Sequence, residues 1–371
     1  MKKFVAMFLV LTLFSFCFKT NAVSVSAKAA IVITGDSGEI IYQKNANEKL
    51  PMASTTKIMT GLLLCEHGNF EREITVTAEM LKVEGSSMGL LAGDKVTLHD
   101  LLYGLMLASG NDAANVIAWV LGGSVSGFVD MMNQKAKELQ LSNTHFATPS
   151  GLDDVEHYTT AYDLAKLACF AMKNEEFAKV VSSQKAVLNY GNPPYRRSLS
   201  NHNKMLKMYD GAVGIKTGFT KKSGRCLVTA AKRDGKYVIA VTLNAPNDWE
   251  DHKKLLDFGL SSIEKTKITP LVNNYNIPII NGQKSSLRVE IEPFEINSLQ
   301  TENIDYQIEL PKFLYAPVKK GEVVGKVLYF KEQKPLGEVL LYSKCDIALM
   351  HPQRNTFKMI FQNIKYIFFS I

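Results

Sequence analysis

The hydrophobic pattern changes period several times along the chain. Ala30 to Ile33 and Glu39 to Tyr42 are β-rich runs joined through Gly35-Asp36-Ser37-Gly38, which predicts a hairpin. Arg225 to Ala231 and Tyr237 to Leu243 flank Asp234-Gly235 and predict a second hairpin, since glycine there permits the positive φ of a primed turn. Between the hairpins, Ile58 to His67, Leu98 to Leu121, Ser126 to Leu139 and Thr160 to Met172 carry apolar residues at three- and four-residue spacing, the helical period. Strands at both ends with helices between imply an α/β domain over residues 23–265, its two hairpins pairing into one antiparallel sheet covered by helices.

From Ser262 to Leu271 the pattern breaks into short polar and β-branched stretches. Leu287 to Ile291, Ile304 to Leu310 and Val323 to Phe330 then alternate apolar and polar positions between Pro and Gly turns, so residues 270–345 read as a small all-β domain. The end of the chain differs again. Phe357, Ile360, Phe361, Ile364, Phe368 and Ile371 share one helical face, with Lys358, Gln362, Asn363 and Lys365 largely opposite and Pro352 just before. Residues 352–371 are therefore expected to form an amphipathic helix lying in a membrane surface, too polar to span it. At the other end Lys2 and Lys3 precede an apolar run from Phe4 to Phe18 and the small-residue site Thr20-Asn21-Ala22. That is the layout of a signal peptide over residues 1–22, the run being shorter than the ~18 residues a span requires. Phe16 is too bulky before Cys17 for lipid attachment there.

The 371 residues are 46% hydrophobic and 21% charged, ordinary globular material with length enough for a large domain and a smaller one. Loss of Lys2, Lys3 and Lys19 with the signal takes the formal charge of +7 to +4, spread without a basic block, and nucleic acid is not an expected partner. Cys65, Cys169, Cys226 and Cys345 stand far apart, which indicates neither a zinc site nor a dense disulfide framework, and no cofactor is expected. His157 has no second histidine at ligand spacing, and it reads as structural; His202 could border a site or simply face solvent.

A serine hydroxyl needs a base within hydrogen-bond reach to act as a nucleophile. Ser54-Thr55-Thr56-Lys57 supplies one if a helix starts at about Ser54, because the spacing puts Lys57 one turn on, on the same face. The amine must be neutral to accept a proton, which burial and a nearby second cation favour. The motif alone identifies nothing: roughly one S-x-x-K is expected by chance in a chain this long. Ser182 to Lys185 and Ser262 to Lys265 match it equally well. Two downstream motifs distinguish Ser54. Ser109-Gly110-Asn111 is the only S-x-N and Lys216-Thr217-Gly218 the only K-T-G, and this ordered trio is the signature of β-lactamases and penicillin-binding proteins. Lys222-Ser223-Gly224 fits a looser K-[ST]-G, but Lys216 is better placed at the start of strand-forming sequence.

Over most of residues 28–345 the chain resembles the low-molecular-mass penicillin-binding proteins of the D-alanyl-D-alanine carboxypeptidase family, including its sporulation-associated members. Gly85-Ser86-Ser87-Met88, Asn111-Asp112-Ala113-Ala114, Ser150-Gly151-Leu152-Asp153-Asp154, His157-Tyr158-Thr159-Thr160 and Gly214-Ile215 carry the resemblance beyond the three motifs. It implies a β-lactamase/transpeptidase-like fold and removal of the C-terminal D-alanine from a peptidoglycan pentapeptide, with β-lactam antibiotics as inhibitors. Position by position, it implies Ser54 as nucleophile, Lys57 as base and Ser109 as proton relay to the leaving D-alanine. Asn111 would hold the substrate amide, the Lys216-Thr217-Gly218 strand the terminal carboxylate, and the amides of Ser54 and Phe219 the oxyanion. The protein is then expected at the extracytoplasmic face of the cell membrane or in the wall. Two alternatives are a β-lactamase, for which the Asp153 to Glu156 stretch lacks the accompanying Asn (Thr160 stands there), and a non-catalytic wall-binding module, which has no need of Ser54, Lys57, Ser109 and Lys216 together.

Overall fold

The computed structural model describes residues 23–350 except 269, 271–273, 300–303 and 332. The expected signal peptide (1–22) and amphipathic helix (352–371) lie outside the described residues. The first hairpin is β1 (Ala29–Thr34) and β2 (Ile40–Lys44). A 3-10 turn, Ala53–Thr56, leads into α1 (Lys57–His67). Two three-residue strands, β3 (Glu73–Thr75) and β4 (Lys95–Thr97), pair and bracket a long loop. The helices α2 (Leu98–Met106), α3 (Asn111–Gly122), α4 (Val125–Glu138), α5 (Ala161–Ala171) and α6 (Glu175–Ser182) come after them. Next are a hairpin of β5 (Lys185–Gly191) and β6 (Pro194–Ser200), and a single helical turn, α7 (Met205–Met208). Then β7 (Ala212–Thr220), β8 (Gly224–Arg233), β9 (Lys236–Leu243) and α8 (Asp248–Ser262) complete the α/β region.

The two predicted hairpins join in one antiparallel sheet of order β2-β1-β9-β8-β7. Strand β1 is buried along its whole length and β9 along nearly all of it, because both faces are covered. Ala29, Ile31, Ile33, Cys226, Val228, Ile239 and Val241 point into the core under α1 to α6. The alternate residues Ala30, Val32, Leu227, Val238 and Ala240 pack against Leu255, Leu256 and Leu260 of α8. The edge strand β7 is left with one side unpaired, and that side flanks the turn carrying Ser54.

The helix expected from Leu98 to Leu121 is two helices. Leu107 to Gly110 interrupt it, with Ser109 at φ 57° and Gly110 as the extended residue before α3. Apolar spacing cannot reveal this break, because Leu105, Met106, Leu107, Ala113 and Ala114 are buried on either side of it. Thr97 and Asp100 form a reciprocal capping box that starts α2.

From residue 264 to residue 350 the described residues hold only strands and their connections. β10 (Glu264–Ile268), β11 (Asn274–Ile280), β12 (Ser286–Glu290), β13 (Phe294–Ser298), β14 (Ile304–Glu309), β15 (Leu314–Tyr315), β16 (Val323–Lys331) and β17 (Lys334–Tyr342) pair as β10-β13, β12-β11-β15 and β14-β16-β17. Leu287 and Val289 face inward while Ser286, Arg288 and Glu290 face out, as one-sided burial requires.

Candidate active site

Ser54 sits on the 3-10 turn, immediately after Ala53 at φ 48°, a conformation that costs a residue with a β-carbon about 1–2 kcal/mol. Several contacts hold the turn in place. Thr55 Oγ1 donates to Met52 O (2.6 Å) and Thr56 Oγ1 to Ala53 O (2.8 Å). His157 Nδ1 accepts the amide of Ala147 (2.9 Å), so the neutral ring carries its proton on Nε2 and donates it to Thr56 Oγ1 (2.7 Å). Burial pushes His157 down to about 4, in keeping with this supporting role. Gly151, at φ 91°, lies against the same turn: a β-carbon there would come within 1.9 Å of Ala53 O.

Lys57 is fully buried one turn beyond Ser54. Its Nζ contacts Ser54 Oγ (2.9 Å), Asn111 Oδ1 (2.7 Å) and the carbonyl of Ser150 (2.7 Å). Burial, then the charge of Lys216, lowers its pKa well below the ordinary lysine value, with Asp112 opposing. Two of the three partners can only accept. A neutral amine has two N–H groups and one lone pair, so the N–H groups go to Asn111 Oδ1 and Ser150 O and the lone pair faces the Ser54 hydroxyl.

Ser109 occupies the break between α2 and α3 and is buried. Asn111 begins α3, and its side-chain amide is engaged at both ends within the protein: Oδ1 accepts from Lys57, and Nδ2 donates to Glu84 O (2.6 Å). Its backbone amide donates to Ser86 O (2.7 Å). Asp112 then ties down the same loop, accepting from Ser87 Oγ and the amides of Met88, Gly89 and Leu90.

On β7, Lys216 is buried, donates to Thr217 O (3.0 Å) and is pushed down to about 7 by desolvation. Gly218 passes so close to the serine turn that a β-carbon would lie 3.0 Å from Met52 O and from the amides of Ser54 and Thr55. Phe219 is exposed at the lip. Ser54, Ser86, Ser109, Thr217, Gly218 and Phe219 line a cleft of about 610 Å³, with exposed His202 on its border and Lys204, Arg225 and Trp249 at its rim.

The competing matches fall elsewhere. Ser182 and Ser262 end α6 and α8 and donate to Lys179 O and Phe258 O, as helix-terminal serines do. Lys222-Ser223-Gly224 forms the β7–β8 turn, where Lys222 is exposed and donates to Asp154 O. Sequence alone offers no means of finding Ser150 O or Glu84 O, because a backbone carbonyl carries no side-chain signal. Asp112 carries a weak one, as an acidic residue in the first turn of a helix.

A family model described as D-alanyl-D-alanine carboxypeptidase matches residues 17–247, and one described as penicillin-binding protein 5, C-terminal domain, matches residues 273–348. The chain is 33% identical over 344 residues to D-alanyl-D-alanine carboxypeptidase DacF of Bacillus subtilis, covering 89% of this chain and 88% of that protein. It is 32% identical over 344 residues to DacC of Escherichia coli, covering 85% and 84%. Among solved structures it resembles the carboxypeptidase DacD of Francisella tularensis, with a TM-score of 0.64 and 27% identity over 88% of this chain and 95% of that one. A Streptomyces DD-transpeptidase matches with a TM-score of 0.62 and 33% identity, over 64% of this chain and 98% of its own.

Proposed function

The chain belongs to the D-alanyl-D-alanine carboxypeptidase family and is a serine-type enzyme of that class, and on that premise we propose that Ser54 is its nucleophile, Lys57 the base in both half-reactions and Ser109 the proton relay. The observation that carries this assignment is the Lys57 amine, whose two accept-only partners aim its lone pair at Ser54 Oγ. As Ser54 Oγ attacks the carbonyl between the two terminal D-alanines, Lys57 takes its proton. The amides of Ser54 and Phe219 receive the oxyanion in a site closed on one side by Gly218. The proton passes through Ser109 to the leaving nitrogen, the C–N bond breaks, and D-alanine departs from an acyl-enzyme. Water activated by the same amine then releases the shortened peptide and restores Ser54. Asn111 acts in this scheme chiefly by orienting Lys57.

Lys216 and Thr217 bind the terminal carboxylate. The terminal carboxylate pairs with the buried amine of Lys216 and favours its charged form, which restricts cleavage to chains with a free C-terminus. The unpaired side of β7 receives the peptide as an added strand. A penicillin places its lactam amide where the scissile amide goes, so it acylates the same serine. Residues 1–22 serve as an export signal and residues 352–371 hold the enzyme at the membrane surface, where peptidoglycan stem peptides are within reach.

The purified protein is expected to release free D-alanine from a peptide ending in D-Ala-D-Ala, and Ser54→Ala to abolish both this and penicillin labelling. Labelling without D-alanine release points to a binding module, and rapid penicillin turnover to a lactamase. Truncation after His351 is expected to free the protein from membranes; continued sedimentation with vesicles refutes the anchor.

A further inference from the structure

We propose that Arg197, on a hairpin outside all three motifs, is a positioning residue for this reaction, clamping the loop that orients Asn111 and, through it, Lys57. The inference rests on Lys57 being the base.

The loop between β3 and β4 meets the catalytic groups at two carbonyls. Glu84 O accepts the Asn111 side-chain amide and Ser86 O its backbone amide. If Glu84 O moves, Asn111 can rotate, and Asn111 Oδ1 is one of the two acceptors that direct the Lys57 lone pair. Asp112 secures the loop from the α3 side. From the opposite side it is held by β5 and β6, which form a two-stranded sheet among the described residues. Tyr190 Oη donates to Met88 O (2.7 Å), Arg197 Nη1 donates to Gly89 O, and Arg197 Nη2 lies 3.4 Å from Asp94 Oδ2. The guanidinium stands 4.3 Å from the Tyr190 ring centroid and 4.1 Å from that of Tyr195, so an aromatic face flanks it on each strand. The ion pair is withdrawn from water, with the side chains of Arg197 and Asp94 only 10% and 6% exposed. A surface arginine kept for solubility needs none of this; a planar guanidinium braced by two rings of its own hairpin holds the loop at Gly89 O and Asp94.

Catalytic rates respond steeply to such placement, since a misplacement of about 1 Å can cost about 100-fold. The test uses the full chain with Arg197→Gln and Arg197→Lys, measuring kcat and KM for D-alanine release and the second-order rate of penicillin labelling. All rates are expressed per serine labelled at completion, so that unfolded protein does not count. For Arg197→Gln, kcat and labelling rate are expected to fall about 10- to 100-fold together, with KM little changed and Arg197→Lys recovering part of the loss. Wild-type rates per labelled serine, even in a less stable variant, overturn the proposal, as does a rise in KM alone. Because the labelling rate reads Lys57 without requiring D-alanine release, a wild-type protein that labels but releases none refutes the carboxypeptidase scheme and still tests the clamp.

Discussion

Replacing Asp112 tests whether the loop over the active site is held by one carboxylate. Oδ1 accepts the amides of Met88 (3.0 Å) and Ala113 (2.9 Å). Oδ2 accepts Ser87 Oγ (2.6 Å) and the amides of Gly89 and Leu90 (both 3.1 Å). In Asp112→Ala, Gly89 N retains Ser87 Oγ as an acceptor, and exposed Ser87 can turn to water. Met88, Leu90 and Ala113 are buried and lose their only side-chain acceptor. At about 1–3 kcal/mol for each orphaned buried donor, the variant should lose roughly 3–9 kcal/mol. Asp112→Asn is the informative control. Both oxygens accept, so an asparagine must present its NH2 to donors at one of the two positions and should recover less than half of the loss. Guanidinium unfolding followed by tryptophan fluorescence reads this directly, because the chain has two tryptophans, Trp119 on α3 and Trp249 on α8. Penicillin labelling should slow in parallel as Glu84 O and Ser86 O lose their places. Losses below about 1 kcal/mol in both variants would falsify the view that Asp112 organises this loop.

Gly218→Ala must push β7 away from the serine turn by a few tenths of an ångström, so penicillin labelling should fall about 10-fold or more with the unfolding midpoint almost unmoved; an unchanged rate would mean that the strand and turn are only loosely opposed. His157 titrates at about 4 when folded against 6.5 when unfolded, so between those values the unfolded chain binds the extra proton and stability falls as pH drops from about 6.5 to 4. The loss approaches about 3 kcal/mol, and His157→Gln should flatten that part of the curve in unfolding measured at pH 7 and 4.5; parallel curves for both proteins would refute it. Lys216→Met removes a charge that helps keep Lys57 neutral, so the Lys57 pKa should rise and the acid limb of the labelling rate should move to higher pH. An acid limb that stays in place would show that burial alone sets the Lys57 pKa.

Much of this protein is legible in its sequence because the relevant signals are local or ordered along the chain. The two hairpins carry their turn residues with them, and the runs in β1, β8 and β9 show their burial by composition. Ser54, Lys57, Ser109, Asn111 and Lys216 are found by type, spacing and order, which also set aside the serines at 182 and 262. The break at Ser109 is hidden because buried residues continue through it, and α8 is hidden because it is polar apart from the short face under β1 and β9.

What the sequence alone determined, then, is which side chains are candidates for the chemistry. Tertiary structure decided their states. The acceptors that aim Lys57 include a carbonyl 93 residues away, and the carbonyl that orients Asn111 is 27 residues away. Every residue has a carbonyl, so only folding selects these two. The same holds for the lowered pKa values of Lys57 and Lys216, which arise from burial by the surrounding protein and are written in no single position.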